Sequence, residues 1–351
     1  MASRLVSLLL VLLPAATASA EVIVDPVTLV VKEDITINPG SYSYYELTLN
    51  KGADLVVSLQ VSGGIDNTMR HWLLDLANFQ KLRAGQGFLP VTGAGGDMAG
   101  TASYQVKLPQ TNIYYLVLDN TKAVLAGRHV SARAYTVAAG ETEHSKETRE
   151  FYAGIYDGML KKLFVFKDFN IHVGMCGTAN AFSAPDITIC YELDEMLREK
   201  GAQGAMMFVF LHEVAHSLLN VWDYPLYDNE DAADELATVL LLMAKRQDMA
   251  MEAAKWWAQD MSTNEAMSKL WLDDRHTVSP QRARNIITWI NNEDELSRRW
   301  LHLLIPKMTD EALELGLTSN PTANDPHLAA VEQELLKRRA IARGETLIRH
   351  Q

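Results

Sequence analysis

The chain has 351 residues, a formal net charge of −12, 48% hydrophobic and 22% charged residues. That length holds two domains with their own cores, and the balance of apolar and charged residues excludes a disordered or collagen-like chain. The acidity is uneven, with 9 Lys+Arg against 10 Asp+Glu over residues 21–140 and 22 against 34 over residues 141–351. A negative surface draws neither nucleic acid nor an anionic membrane, which argues against both as partners, though the charge also serves solubility alone.

Residues 1–20 read as a secretory signal, with Arg4 as the basic start, an apolar run from Leu5 to Leu13 and a small-residue cleavage site at Ala18-Ser19-Ala20. The mature chain is therefore expected outside the cytoplasm, periplasmic or secreted. No later stretch reaches about 18 consecutive apolar residues, so no membrane span is expected in the mature chain.

Segments 42–49, 54–61, 103–108 and 113–119 alternate apolar and polar residues, the period of half-buried strands, and turns such as Asn50-Lys51-Gly52 and Ser62-Gly63-Gly64 follow them. Residues 21–140 are expected to form an antiparallel β-sandwich. Its layout is similar to the jelly-roll accessory domains found beside secreted bacterial peptidases. The glycine-rich 93–100 reads as a surface loop between strands. The pairs Tyr44-Tyr45 and Tyr114-Tyr115 are expected to be half core and half exposed, and an exposed ring would serve a glycan or protein ligand.

Alternation stops near 139–145. From there helical periodicity marks 146–160, 191–200, 205–220, 230–245, 252–260, 280–291 and 325–343, with strands near 169–173 and 187–191. The chain thus reads as α+β in two domains, the second, 141–351, mainly helical with a small sheet. Cys176 and Cys190 are its two cysteines. An even count in an exported chain favours a disulfide, two buried thiols being the alternative.

The central signal is His212-Glu213-Val214-Ala215-His216. On a helix, positions four apart share a face, so both imidazoles reach one Zn²⁺ while Glu213 points to the side at a water. The run 205–211 before it is apolar throughout, which buries the helix and leaves these polar groups in need of partners. After thirteen intervening residues comes Glu230-Asp231-Ala232-Ala233-Asp234. This E-x-x-A-D pattern resembles the glutamate-zincin arrangement, which implies Glu230 as third ligand and Asp234 as hydrogen-bond partner of a ligand histidine. Two other readings stand beside it: acidic residues crowd helix N-termini because the macrodipole favours them there, and Asp231 and Glu235 form a competing pair on the next face.

Three pieces together, residues 176–192, the pair of acidic and histidine motifs just described, and Asp274-x-His276-x-x-x-x-Gln281-Arg282-x-x-Asn285-Ile286, resemble a bacterial family of secreted metallopeptidases known chiefly as a domain of unknown function. The resemblance implies a zincin-like domain that hydrolyses peptide or protein substrates with one zinc per chain. His212, His216 and Glu230 are then the ligands, leaving one position open for water, and Glu213 takes the water's proton and passes it to the leaving amine. His276 is the candidate oxyanion stabiliser, with Tyr191 and Tyr224 behind it. Two readings from other classes remain: an exported glycan- or protein-binding protein with a degenerate site, and a structural zinc protein in which Glu213 is a spectator.

Overall fold

Alternating side chains set the architecture of the first unit, Asp25–Lys146, because each strand has one apolar face that only a second layer can cover. In the computed structural model, which describes residues 21–64, 66–137, 140–260, 280–318 and 326–343, this unit holds strands β2 (Val27–Ile37), β3 (Tyr42–Leu49), β4 (Asp54–Ser62), β5 (Thr68–Asp75), β6 (Gly95–Ala99), β7 (Thr101–Lys107), β8 (Asn112–Asp119) and β9 (Arg128–Val137). They are ordered β2-β9-β4-β7-β6-β5-β8-β3, antiparallel throughout. A single pair, Ala99 with Thr101, joins the two halves at the β6–β7 corner. Leu55, Val57, Val130 and Ala132 from one half and Leu47, Leu73, Leu116 and Leu118 from the other form a shared core.

Two local expectations are corrected here. Part of the glycine-rich stretch is strand β6, not loop, because Gly95 lies against β5: a Cβ there would sit 2.8 Å from the His71 carbonyl oxygen. Of the tyrosine pairs, both Tyr114 and Tyr115 are core, Tyr115 because helix α1 (Leu76–Arg83) lays Phe79 on its ring at 3.9 Å. Buried Asn120 ties the β2–β3 corner, donating to the carbonyls of Ile37, Asn38 and Ala126.

Among the described residues, the second unit comprises those ahead of Asp25 and those from Glu147 on. The strand β1 (Val22–Val24) therefore belongs with the helices and not with the sandwich that follows it. It pairs parallel with β10 (Ile171–Gly174), which pairs parallel with β12 (Ile187–Cys190), and β11 (Ala181–Ser183) runs antiparallel to β12 at the edge. A disulfide, Cys176–Cys190, spans the β10–β12 connection with its Cα atoms 5.3 Å apart. Glu192 braces the same turn, accepting from the amides of Cys176 and Gly177.

Helices dominate the rest. They are α2 (Glu143–Ile155), continued as a π-turn to Leu160, α3 (Lys161–Leu163), α4 (Tyr191–Glu199), α5 (Gln203–Val221), α6 (Glu230–Met243), α7 (Gln247–Asp260), α8 (Pro280–Asn291), α9 (Glu293–Leu304), α10 (Asp310–Thr318) and α11 (Pro326–Ala342). Apolar residues on every side put α5 in the middle, with Phe208, Phe210, Val214 and Leu218 all buried. It is long and apolar enough to cross a membrane, the one such helix among the described residues, yet 83% of it is buried inside this unit. Gly204 lets its first turn meet α7 closely, since a Cβ there would lie 2.8 Å from the Met249 carbonyl oxygen. Helices α9 and α10 were not among the expected segments, although Leu296, Trp300 and Leu304 of α9 keep the four-residue spacing of one buried face. Residues 1–20, read from sequence as a secretory signal, lie outside the described residues.

Candidate active site

The site begins with how α5 ends. Asp223 takes a left-handed conformation (φ 56°), and the amides of Tyr224 and Asp223 return to the carbonyls of Leu219 and Asn220, the Schellman pattern that normally uses glycine. This turns the chain back at once, and α6 starts seven residues later with Asn229 as its cap, accepting from the Ala232 amide at 2.9 Å. Glu230 is then the first helical residue of α6, opposite the His212/His216 face of α5.

The geometry brings together His212, His216 and Glu230. The two Nε2 atoms are 3.1 Å apart, His212 Nε2 lies 3.2 Å from Glu230 Oε2, and His216 Nε2 lies 3.4 Å from Glu230 Oε1. Both imidazoles are held from behind. His212 Nδ1 donates to Asp234 Oδ1 at 2.8 Å and His216 Nδ1 to the Tyr227 carbonyl at 2.6 Å. Since a carboxylate and a carbonyl only accept, the Nδ1 atoms carry the protons and the Nε2 lone pairs face each other and the Glu230 carboxylate.

Three acceptors converging on one buried point repel unless something positive lies between them. Burial alone would push the His212 imidazolium down, but the hydrogen bonds it donates to Asp234 and Glu230 outweigh it and raise the pKa from 6.5 to about 9. A proton thus stands where a cation would fit. The donor set, two imidazole nitrogens and a carboxylate oxygen within 4.8 Å of one another, has the chemistry of a Zn²⁺ site. Glu213 lies beside it, buried, with Oε2 lacking a hydrogen-bond partner among the described residues. A buried carboxylate oxygen without a partner is costly unless a water or substrate proton meets it.

His216 and Glu230 also line a cleft of about 610 Å³, whose other wall is the edge strand β11 and the turn after it, with Phe182, Ser183, Ala184 and Pro185. Asp231 and Glu235 turn elsewhere: Asn285 donates to Asp231, and Trp300 and Arg299 hold Glu235. Tyr224 packs its ring against Trp300, and Tyr191 is buried at the start of α4, its phenol pushed up to about 12 by burial. His276 lies outside the described residues.

One residue at the site had no role assigned from sequence. Arg282, on α8, grips Asp234 with Nε on Oδ2 at 2.6 Å and Nη2 on Oδ1 at 2.7 Å, and its Nη1 lies 3.5 Å from Glu230 Oε2. Its signal was its place in the Gln281-Arg282-x-x-Asn285-Ile286 segment, whose Asn285 reaches Asp231 and whose Ile286 is core. The Tyr227 carbonyl is a backbone group and leaves no trace in side-chain identity.

Residues 137–303 match the family model described as "DUF4344: Putative metallopeptidase". That segment belongs to this family. The metallopeptidase segment includes His212, Glu213, His216, Glu230, Asp234, Arg282 and the disulfide, and membership implies a metal-dependent hydrolase acting on protein or peptide. No curated protein matches the chain. Among solved structures, "BiXyn10A CBM1 APO" is 9% identical over 26% of this chain, which spans 57% of that chain, with a TM-score of 0.19. The CBM36-1 domain of a multidomain xylanase from the hindgut metagenome of Trinervitermes trinervoides is 14% identical over 33% of this chain and 92% of its own, with a TM-score of 0.19. The CBM22-1-GH10 modules of the Clostridium thermocellum xylanase 10B are 12% identical over 86% of this chain and 81% of theirs, with a TM-score of 0.22.

Proposed function

We propose that this chain is an exported zinc-dependent peptidase whose helical unit, zincin-like in arrangement, hydrolyses peptide bonds, with a jelly-roll-like sandwich as its accessory domain after removal of residues 1–20. The observation that carries the reading is the convergence of His212 Nε2, His216 Nε2 and Glu230 with an unpartnered Glu213 carboxylate oxygen beside them. His212, His216 and Glu230 would hold one Zn²⁺, which supplies a Lewis acid for the scissile carbonyl and a water of lowered pKa. Glu213 accepts that water's proton and returns it to the leaving amine. Asp234 and the Tyr227 carbonyl fix both imidazoles so that neither must reorient during turnover.

The cleft beside His216 and Glu230 favours this over a structural zinc, because a closed four-ligand site has no use for open space or for Glu213. The edge strand β11, on the cleft wall, offers backbone groups to an extended peptide. His276 serves as oxyanion stabiliser in this scheme. On the sandwich, Tyr44 is 48% exposed and is the ring we assign to a glycan or protein ligand. The disulfide accords with an oxidising compartment.

Glu213→Gln tests the mechanism. The variant should keep about one zinc per chain by elemental mass spectrometry while hydrolysis of a peptide library falls by roughly 10² to 10⁴. His212→Ala and Glu230→Ala should lose the zinc itself, and a fully active Glu213→Gln protein would sink the reading.

A further inference from the structure

Asp234 is fully buried, and a carboxylate taken out of water needs more than one hydrogen bond to stay charged. Its two oxygens have different partners. Oδ1 faces His212 Nδ1 and Arg282 Nη2, while Oδ2 receives Arg282 Nε. The guanidinium therefore holds the carboxylate in a two-point fork, which fixes the plane of the carboxylate and with it the direction of the His212 ring.

Arg282 is itself held in place. Its side chain is 11% exposed, and its guanidinium lies over the Trp257 ring at 5.2 Å, that ring in turn edge-on to Phe208 of the motif helix. It also stands 3.5 Å from the Glu230 carboxylate. A single cation from α8 thus touches both α6 carboxylates of the site and braces the α5 histidine through one of them. Charge points the same way: Glu213, Glu230 and Asp234 bring three negative groups, which a divalent ion offsets only in part, and Arg282 supplies the remaining positive charge.

We propose that Arg282 is a positioning residue for the metal site: through its fork on Asp234 it sets the His212 ligand and tunes metal affinity. This rests on the metal-site reading above. A buried arginine bound to a buried aspartate is also a common structural pair, so the test must separate affinity from folding.

Zinc dissociation constants, measured by competition with a chromophoric chelator, are compared for the wild-type full chain, Arg282→Gln, Arg282→Lys, Asp234→Asn and the double variant Arg282→Gln/Asp234→Asn, each checked for folding by circular dichroism. Arg282→Gln should weaken zinc binding about 10- to 100-fold, the range for lost partners of metal ligands. Arg282→Lys keeps the charge but not the fork, so it should fall between wild type and Arg282→Gln; if Arg282→Gln does not fold, Arg282→Lys carries the test and wild-type affinity in it overturns the proposal. In the double variant the two losses should not multiply, because both act through one carboxylate. Wild-type affinity in a folded Arg282→Gln, or fully multiplicative losses, overturns this proposal alone. A wild type that takes up no zinc overturns the metal site and the proposed function with it.

Discussion

At the scale of single residues, the proposed site sets a proton and a metal ion in competition for the same nitrogen. His212 has its pKa raised to about 9, so in the metal-free protein it is charged across the neutral range. A group whose folded pKa exceeds its unfolded value contributes stability that is complete below 6.5 and lost as pH rises through about 9. Chelated protein should therefore resist urea less at about pH 10 than at about pH 6, other groups aside. Zinc needs the neutral ring, so its uptake displaces this proton and its affinity should climb with pH until about 9. Zinc titrations with a chelator at a series of pH values check both halves, and an affinity independent of pH below about 9 contradicts them.

At the scale of elements, the placement of the proposed ligands depends on how two helices end and begin. The αL residue Asp223 stops α5, and Asn229 caps α6 one residue before Glu230. The cap therefore has two jobs, saturating an orphan amide and setting the direction in which the first helical side chain leaves. Asn229→Ala should cost about 1 kcal/mol of stability, as lost N-caps do, and should loosen zinc binding more than a cap-preserving Asn229→Asp. Thermal unfolding and chelator competition on the same pair of variants give the two readouts; equal zinc affinity in both would separate the cap from the ligand. The motif helix, α6 and α8 were all legible, the motif helix from its long apolar run and α6 from the Asn229 cap ahead of it. The edge of that legibility is seen at β6, where glycines read as a loop but serve a close strand contact, and at α9, where Leu296, Trp300 and Leu304 share one buried face at a spacing of four inside a short, strongly charged segment.

At the scale of the molecule, the chain leaves the helical unit after β1, builds the sandwich, and returns at Glu147. All the proposed metal ligands belong to one unit, so metal should act on that unit by mass action. Zinc at about 100 times its dissociation constant adds about 2.7 kcal/mol to a folded state that binds it. Calorimetry with and without a chelator should move the transition of the helical unit and leave that of the sandwich in place; a chelator that shifts neither, or both equally, argues against a metal confined to Glu147 onward.

The sequence by itself determined the chemistry on offer: two histidines one helical turn apart, a glutamate between them, and a carboxylate pair at the start of the next helix. Those are properties of spacing along single helices, which local geometry fixes without reference to the rest of the fold. It also carried the strand-rich and helix-rich halves and the cysteine pair. Only the tertiary structure decided which carboxylates face the histidines, because Glu230 and Asp231 are equally suited to a helix start and only the rotation of α6 against α5 turns one inward. Only it brought Arg282 across 48 residues onto Asp234 and set the Tyr227 carbonyl behind His216. Contacts between distant segments depend on packing angles that no short window of residues encodes, and the groups that orient the ligands are contacts of that kind.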